Sequence, residues 1–173
     1  MDKSRILLTT SAILLALAPA TAQTPNAPMD WSIEESKSPP DDSPQVVAAM
    51  VSGDTALILR CKEQKTEAAF STKFNYLGSK SVKVLVRVND EKPTQDEWRP
   101  STTGRAAFAP SAEDFIRALP DNGKFFIRTT RFDGKTKEGN FNLGAVSAIR
   151  DKIARACDWP DASKDEPVGS VGH

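Results

Sequence analysis

The chain has almost no histidine. Of its 173 residues only the last, His173, carries an imidazole, which removes Ser-His-Asp and Cys-His nucleophile machinery and leaves no histidine for a buried zinc site. Charge of one sign is also lacking, since 23 basic residues meet 23 acidic ones. Nucleic-acid binders concentrate basic residues against the phosphate backbone, so nucleic acid is excluded as a partner class. There is no glycine-rich phosphate cradle and no internal repeat, and no cofactor is expected. Cysteines number two, without C-x-x-C spacing, which argues against a thioredoxin-like redox centre. Long hydrophobic runs are absent as well: Ile6 to Ala18, the uncharged stretch near the start, is shorter than the roughly 20 apolar residues that cross a bilayer.

That stretch has the layout of an export signal. Lys3 and Arg5 precede it, Thr9, Thr10 and Ser11 dilute it, Pro19 stops it, and Ala20-Thr21-Ala22 places small residues where a signal peptidase cuts. Residues 1–22 are therefore predicted to be a signal peptide, with Gln23 as the mature start. No cysteine stands at the cut to accept lipid, and no twin arginine precedes it. Cleavage removes Lys3, Arg5 and Asp2, leaving 23 − 2 = 21 basic and 23 − 1 = 22 acidic residues, a balance of −1. The expected product is periplasmic or secreted, with no transmembrane segment after cleavage.

The mature chain is of single-domain length. Residues 23–30 read as a flexible leader, 31–159 as one folded β-rich domain bracketed by Trp31 and Trp159, and 160–173 as a polar, disordered tail. Within the body a step of two dominates. Leu57, Leu59 and Cys61 share one face opposite Ala56, Ile58 and Arg60, and Val82, Val84, Val86 and Val88 share another. Both segments predict strands. Further strands are expected near Trp31, before the proline-rich turn 38–44, and over 46–51, 66–74, 97–101, 105–108, 125–132 and 139–143, with turns at Gly53, Gly78, Gly104 and Gly134. Ser111 followed by Glu113 and Asp114 predicts an N-cap and a short helix ended by Pro120. Val146, Ile149, Ile153 and Cys157 step at helical spacing and predict a second, inward-facing helix. The fold class expected is α+β, mainly β: a twisted antiparallel sheet or β-sandwich with one short helix and a C-terminal helix packed on one face.

Cys61 and Cys157 then lie on facing apolar surfaces. In an oxidising compartment such a pair reads most simply as a disulfide joining the last helix to an early strand. Two inert buried thiols or a redox-active cysteine are the competing readings.

Candidate chemistry is sparse. Glu34, Glu35, Asp41, Asp42, Asp90, Glu91, Asp96 and Glu97 supply carboxylates in kind for glycoside hydrolysis, but each is expected in a turn or on a solvated face, as ordinary surface charge. Asp41 and Asp42 lack the alternating oxygen donors of a calcium loop, and no metal site is expected. Trp31 and Trp159 are expected to seal the ends of the domain. Trp98 stands among polar neighbours and is either an inward edge-strand residue or a recognition aromatic. Arg60, Arg87 and Arg128 project from central strands, to pair with carboxylates or to form an anion-recognition surface.

Six segments in order resemble the VasI/TagO family of type VI secretion-associated accessory proteins: Ser38-Pro39 with Asp41-Asp42-Ser43; Leu57-Ile58-Leu59-Arg60-Cys61-Lys62; Val86-Arg87-Val88-Asn89-Asp90; Trp98 with Ser101 ahead of Gly104; Phe141-Asn142-Leu143-Gly144; and Ala156-Cys157-Asp158-Trp159. The family's arginine-x-aspartate strand reads Arg87-Val88-Asn89 here. What the resemblance implies is an exported, disulfide-bonded envelope accessory or adaptor, not an enzyme, that acts by binding an envelope or secretion-apparatus protein. The candidate binding surface comprises Trp98, Arg87, Ser101 and Arg128. The runner-up is a periplasmic binding module or inhibitor engaging cell-wall glycan or an envelope hydrolase.

Overall fold

The computed structural model describes residues 31–131 and 133–160. The predicted signal peptide, the leader and positions 161–173 of the predicted tail lie outside the described residues, as does Phe132. Among the described residues nine strands and two helices follow in chain order: β1 (Ser32–Lys37), β2 (Pro44–Ser52), β3 (Thr55–Lys62), β4 (Lys65–Thr72), β5 (Val82–Val88), β6 (Thr94–Pro100), β7 (Ala106–Phe108), α1 (Ala112–Ala118), β8 (Gly123–Thr130), β9 (Thr136–Leu143) and α2 (Val146–Ala156). The strands form one antiparallel sheet in the order β1-β2-β3-β4-β7-β6-β5-β8-β9. The mainly β, α+β class inferred from periodicity is the architecture observed.

Alternation in sequence becomes alternation in burial. On β3, Leu57, Leu59 and Cys61 are fully buried, while Ala56, Ile58 and Arg60 are half-buried on the other face. The sheet curls so that β9 lies against β2 and β3, although the sheet order separates them. Gly139 leaves space inside the curl: a Cβ there would stand 2.6 Å from the ring of Phe141 and 2.8 Å from that of Phe70 on β4. Only hydrogen fits between those rings. Lys137 on β9 adds a tie to Asp54 in the β2–β3 turn, 2.6 Å away.

The helices lie on the same core. Val146, Ile149, Ile153 and Ala156 of α2 are buried, packed on β2 and β3, and Cys157 at its C-cap is bonded to Cys61 with a Cα–Cα distance of 5.7 Å. The disulfide reading therefore holds over two free thiols. Capping departs from expectation. Ser111 precedes α1 but its hydroxyl makes no capping bond; the carbonyl of Ser111 instead accepts from Phe115 N–H at 2.9 Å. At the start of α2, Ala145 is left-handed and has no side chain to cap with. Asp121, from the loop between α1 and β8, supplies the acceptor, taking the Ser147 N–H at 2.7 Å. A carboxylate at a helix N-terminus satisfies an orphan donor and the positive end of the helix dipole. Arg150 of α2 repeats the device at the other helix, donating to the carbonyls of Ile116 at 3.2 Å and Leu119 at 2.5 Å where α1 ends.

Candidate binding surface

The four residues singled out from sequence do not form one surface. Trp98 is the clearest correction: it faces inward from β6, is 3% exposed, and stands edge-on to Phe115 with centroids 5.4 Å apart. Phe115 in turn meets Phe125 at 5.9 Å, and Phe125 meets Phe141 at 6.3 Å. Trp98 begins a row of rings that joins β6, α1, β8 and β9, so it is core and not a recognition aromatic. Ser101 is a turn residue. Its hydroxyl accepts from Ala106 N–H at 3.1 Å and its carbonyl from Gly104 N–H at 2.8 Å, closing the bend between β6 and β7.

Arg87 and Arg128 do come together. Cross-strand register sets Arg87 beside Phe126 and Arg128 beside Leu85, so all four share the outer face of β5 and β8. Both guanidinium groups lie over the Phe126 ring, at 5.7 Å for Arg87 and 5.3 Å for Arg128. Such stacking holds a long cation in place while leaving its N–H edges open. Arg128 is also bonded to Glu138 at 2.7 Å. Among the described residues Arg87 has no carboxylate within ion-pair distance. Beside it opens a cleft of about 340 Å³ whose polar lining includes Lys124, Asp90, Asn140 and Asn142. Asn89 lines it too but is already committed. Its backbone is left-handed, its Oδ1 accepts from Lys124 N–H at 2.9 Å, and a Cβ on Gly123 would come within 2.3 Å of that oxygen. An amide is used here to shape a turn.

A second arrangement of the same kind escaped sequence reading. On the outer face of the other half of the sheet, Arg60 and Arg99 both lie over Phe108, at 5.7 and 4.8 Å. Glu67 accepts from Arg60 Nε at 2.8 Å and stands 3.8 Å from Arg99 and 3.6 Å from Lys65. The members come from β3, β4, β6 and β7, and no local motif announces a contact fixed by strand register. The isolated Arg60 was the available signal.

The remaining candidates have structural positions. Trp31 donates to the carbonyl of Gly144 at 3.0 Å. Trp159 donates to Thr66 Oγ1 at 2.6 Å beneath the guanidinium of Arg117, so the two tryptophans seal the ends of the domain as expected. Glu35 pairs with Lys152 of α2. Asp41 holds the proline-rich turn by accepting from Ser43 Oγ and N–H, and those bonds keep its carboxyl below the ordinary range. Hydrogen bonding by Lys137 does the same for Asp54, and by the Ser147 backbone for Asp121. Among the described residues no three histidine, cysteine or acidic side chains gather as metal ligands, and no helix is long and apolar enough to cross a membrane.

No protein-family model matches the chain, and no curated protein or solved structure matches it either.

Proposed function

We propose that the protein is an exported accessory or adaptor protein of the cell envelope that works by binding another protein, as its resemblance to the type VI secretion-associated VasI/TagO family implies. The observation that carries the reading is the outer face of β5 and β8. There two arginines are stacked on one phenylalanine, and among the described residues Arg87 has no carboxylate within ion-pair distance. A guanidinium fixed by an aromatic ring and left open at its N–H edge is suited to a carboxylate on a partner surface, and arginine is enriched where protein partners meet. The export signal in the sequence and the disulfide in the fold agree with an oxidising compartment.

The glycan-binding alternative draws on the same cleft, where Asn140 and Asn142 offer amides beside Arg87 and Lys124. One experiment separates the two. A photo-crosslinker placed at Leu85 in the native envelope is expected to capture a discrete protein, and the double change Arg87→Gln with Arg128→Gln is expected to abolish capture while circular dichroism reports a retained fold, the loss of the exposed Arg128–Glu138 pair lowering the unfolding midpoint only slightly. Retention on purified sacculi that the same double change removes, with no protein captured, would overturn the adaptor reading.

A further inference from the structure

β7 is too short for its neighbour. β4 runs from Lys65 to Thr72, yet β7 pairs only with Ala69 to Ser71. The last backbone bond on that side runs from Ala109 N–H to the Ala68 carbonyl at 2.9 Å, after which the chain turns away into α1. Backbone groups of alternate residues point to the same side of a strand. Ala68 points toward β7, so Thr66 does also, and no strand stands beside it. Its side chain is taken inward by Trp159. Its main-chain N–H and C=O thus face a groove of about 770 Å³ between β4 and the start of α1.

The charges of the groove are unequal on its two walls. On the strand side, Lys65 and Arg99 have side chains 66% and 62% exposed, whereas Glu67 between them is 14% exposed and already bonded to Arg60. Lys65 and Arg99 thus stand 3.6 and 3.8 Å from one sunken carboxylate that they share with Arg60, with most of each side chain left in solvent. On the helix side Glu113 is held by Arg117 at 2.7 Å, which leaves Asp114 facing solvent. Phe108, half-buried beneath Arg99, forms an apolar floor.

We propose that this groove is a strand-addition site that takes an extended acidic peptide segment of a partner protein. The segment pairs with the uncovered edge of β4 at Thr66, continues the line that β7 abandons, and sets a carboxylate against Lys65 and Arg99. Main-chain pairing supplies direction, and the two cations supply the choice of side chain. The site is separate from the Arg87 face and does not depend on it.

The test uses the oxidised mature protein, isotope-labelled for amide NMR, and the peptide acetyl-Glu-Val-Glu-Val-Glu-amide. Saturable shifts are expected at the amides of Lys65, Thr66, Glu67, Arg99, Ala109, Ser111 and Ala112. Arg99→Glu combined with Lys65→Glu, whose own spectrum reports retention of the fold, is expected to weaken binding roughly tenfold or more. The same peptide N-methylated at alternate residues keeps its charge and loses its strand donors, and it is expected not to bind. The proposal is overturned by the absence of saturable shifts, by shifts confined to the β5–β8 face, by equal binding of the N-methylated peptide, or by equal binding of a lysine-valine peptide of the same length.

Discussion

Truncating Trp98 to alanine is expected to cost the domain much of its stability while removing nothing from its surface. The indole is 3% exposed and opens the row of rings through Phe115, Phe125 and Phe141. Deleting a buried aromatic of this size forfeits its transfer free energy and leaves a cavity that rigid strands on either side cannot close, together about 3–5 kcal/mol. The edge-to-face contact with Phe115 places the site toward the upper end. For a domain of this size the urea slope is about 2 kcal/mol per molar, so the midpoint is expected to fall by roughly 1.5–2.5 M. Trp98→Phe retains a ring against Phe115 and should lose less than half as much. Equilibrium urea unfolding followed by far-ultraviolet circular dichroism reads both variants without relying on the deleted fluorophore. A Trp98→Ala midpoint within about 0.5 M of the parent's would mean that the ring is not part of the core, and the inward placement of β6 would fall with it.

Three further outcomes follow from the same geometry. Replacing both Cys61 and Cys157 by alanine opens a clasp between residues 96 apart; in the chain-entropy model this costs up to about 4.7 kcal/mol, and a urea midpoint unchanged from the oxidised parent would contradict it. Gly139→Ala pushes a methyl into the rings of Phe70 and Phe141 and is expected to cost about 1–3 kcal/mol, read by thermal unfolding, where an unchanged or raised midpoint would show that the rings have room to move. Asp41, Asp54 and Asp121 have folded-state pKa values below their unfolded ones, so the stabilisation they give is complete above about pH 4 and is lost as pH falls through the lower, folded values. Asp121→Asn should therefore flatten the acid limb of the stability–pH curve, and an identical limb would refute the role assigned to its bond with Ser147.

Legibility in the sequence tracked how much of each element meets the core. β3 and β5 were readable because buried aliphatics alternate with outward residues, and α2 because its buried positions recur at helical spacing. β6 and the first half of β9 were underestimated. Residues 94–97 and 136–138 are polar and largely outward-facing, and these stretches are held by pairing with neighbours that lie far away in the chain. The same cause misplaced Trp98. Its sequence neighbours are polar since they face water, while the ring it touches, Phe115, comes from α1. Ser101 and Asn89 drew attention through the family resemblance, and turn geometry is what occupies them. Arg87 and Arg128 were grouped as surface arginines from positions 41 apart; the β5–β8 register is what sets both over Phe126. The groove beside β4 had no signature, being created by the shortness of β7 and the direction in which α1 leaves it.

The account rests on export into an oxidising compartment followed by covalent closure of the fold. Intact-mass spectrometry of the protein recovered from the cell envelope, with and without alkylation under native conditions, tests this most directly. The predicted result is a chain beginning at Gln23, lighter by two hydrogens than its reduced form and unreactive to alkylation until denatured and reduced. A chain that retains residues 1–22, or one whose Cys61 and Cys157 both take the alkylating reagent in the native state, would contradict it.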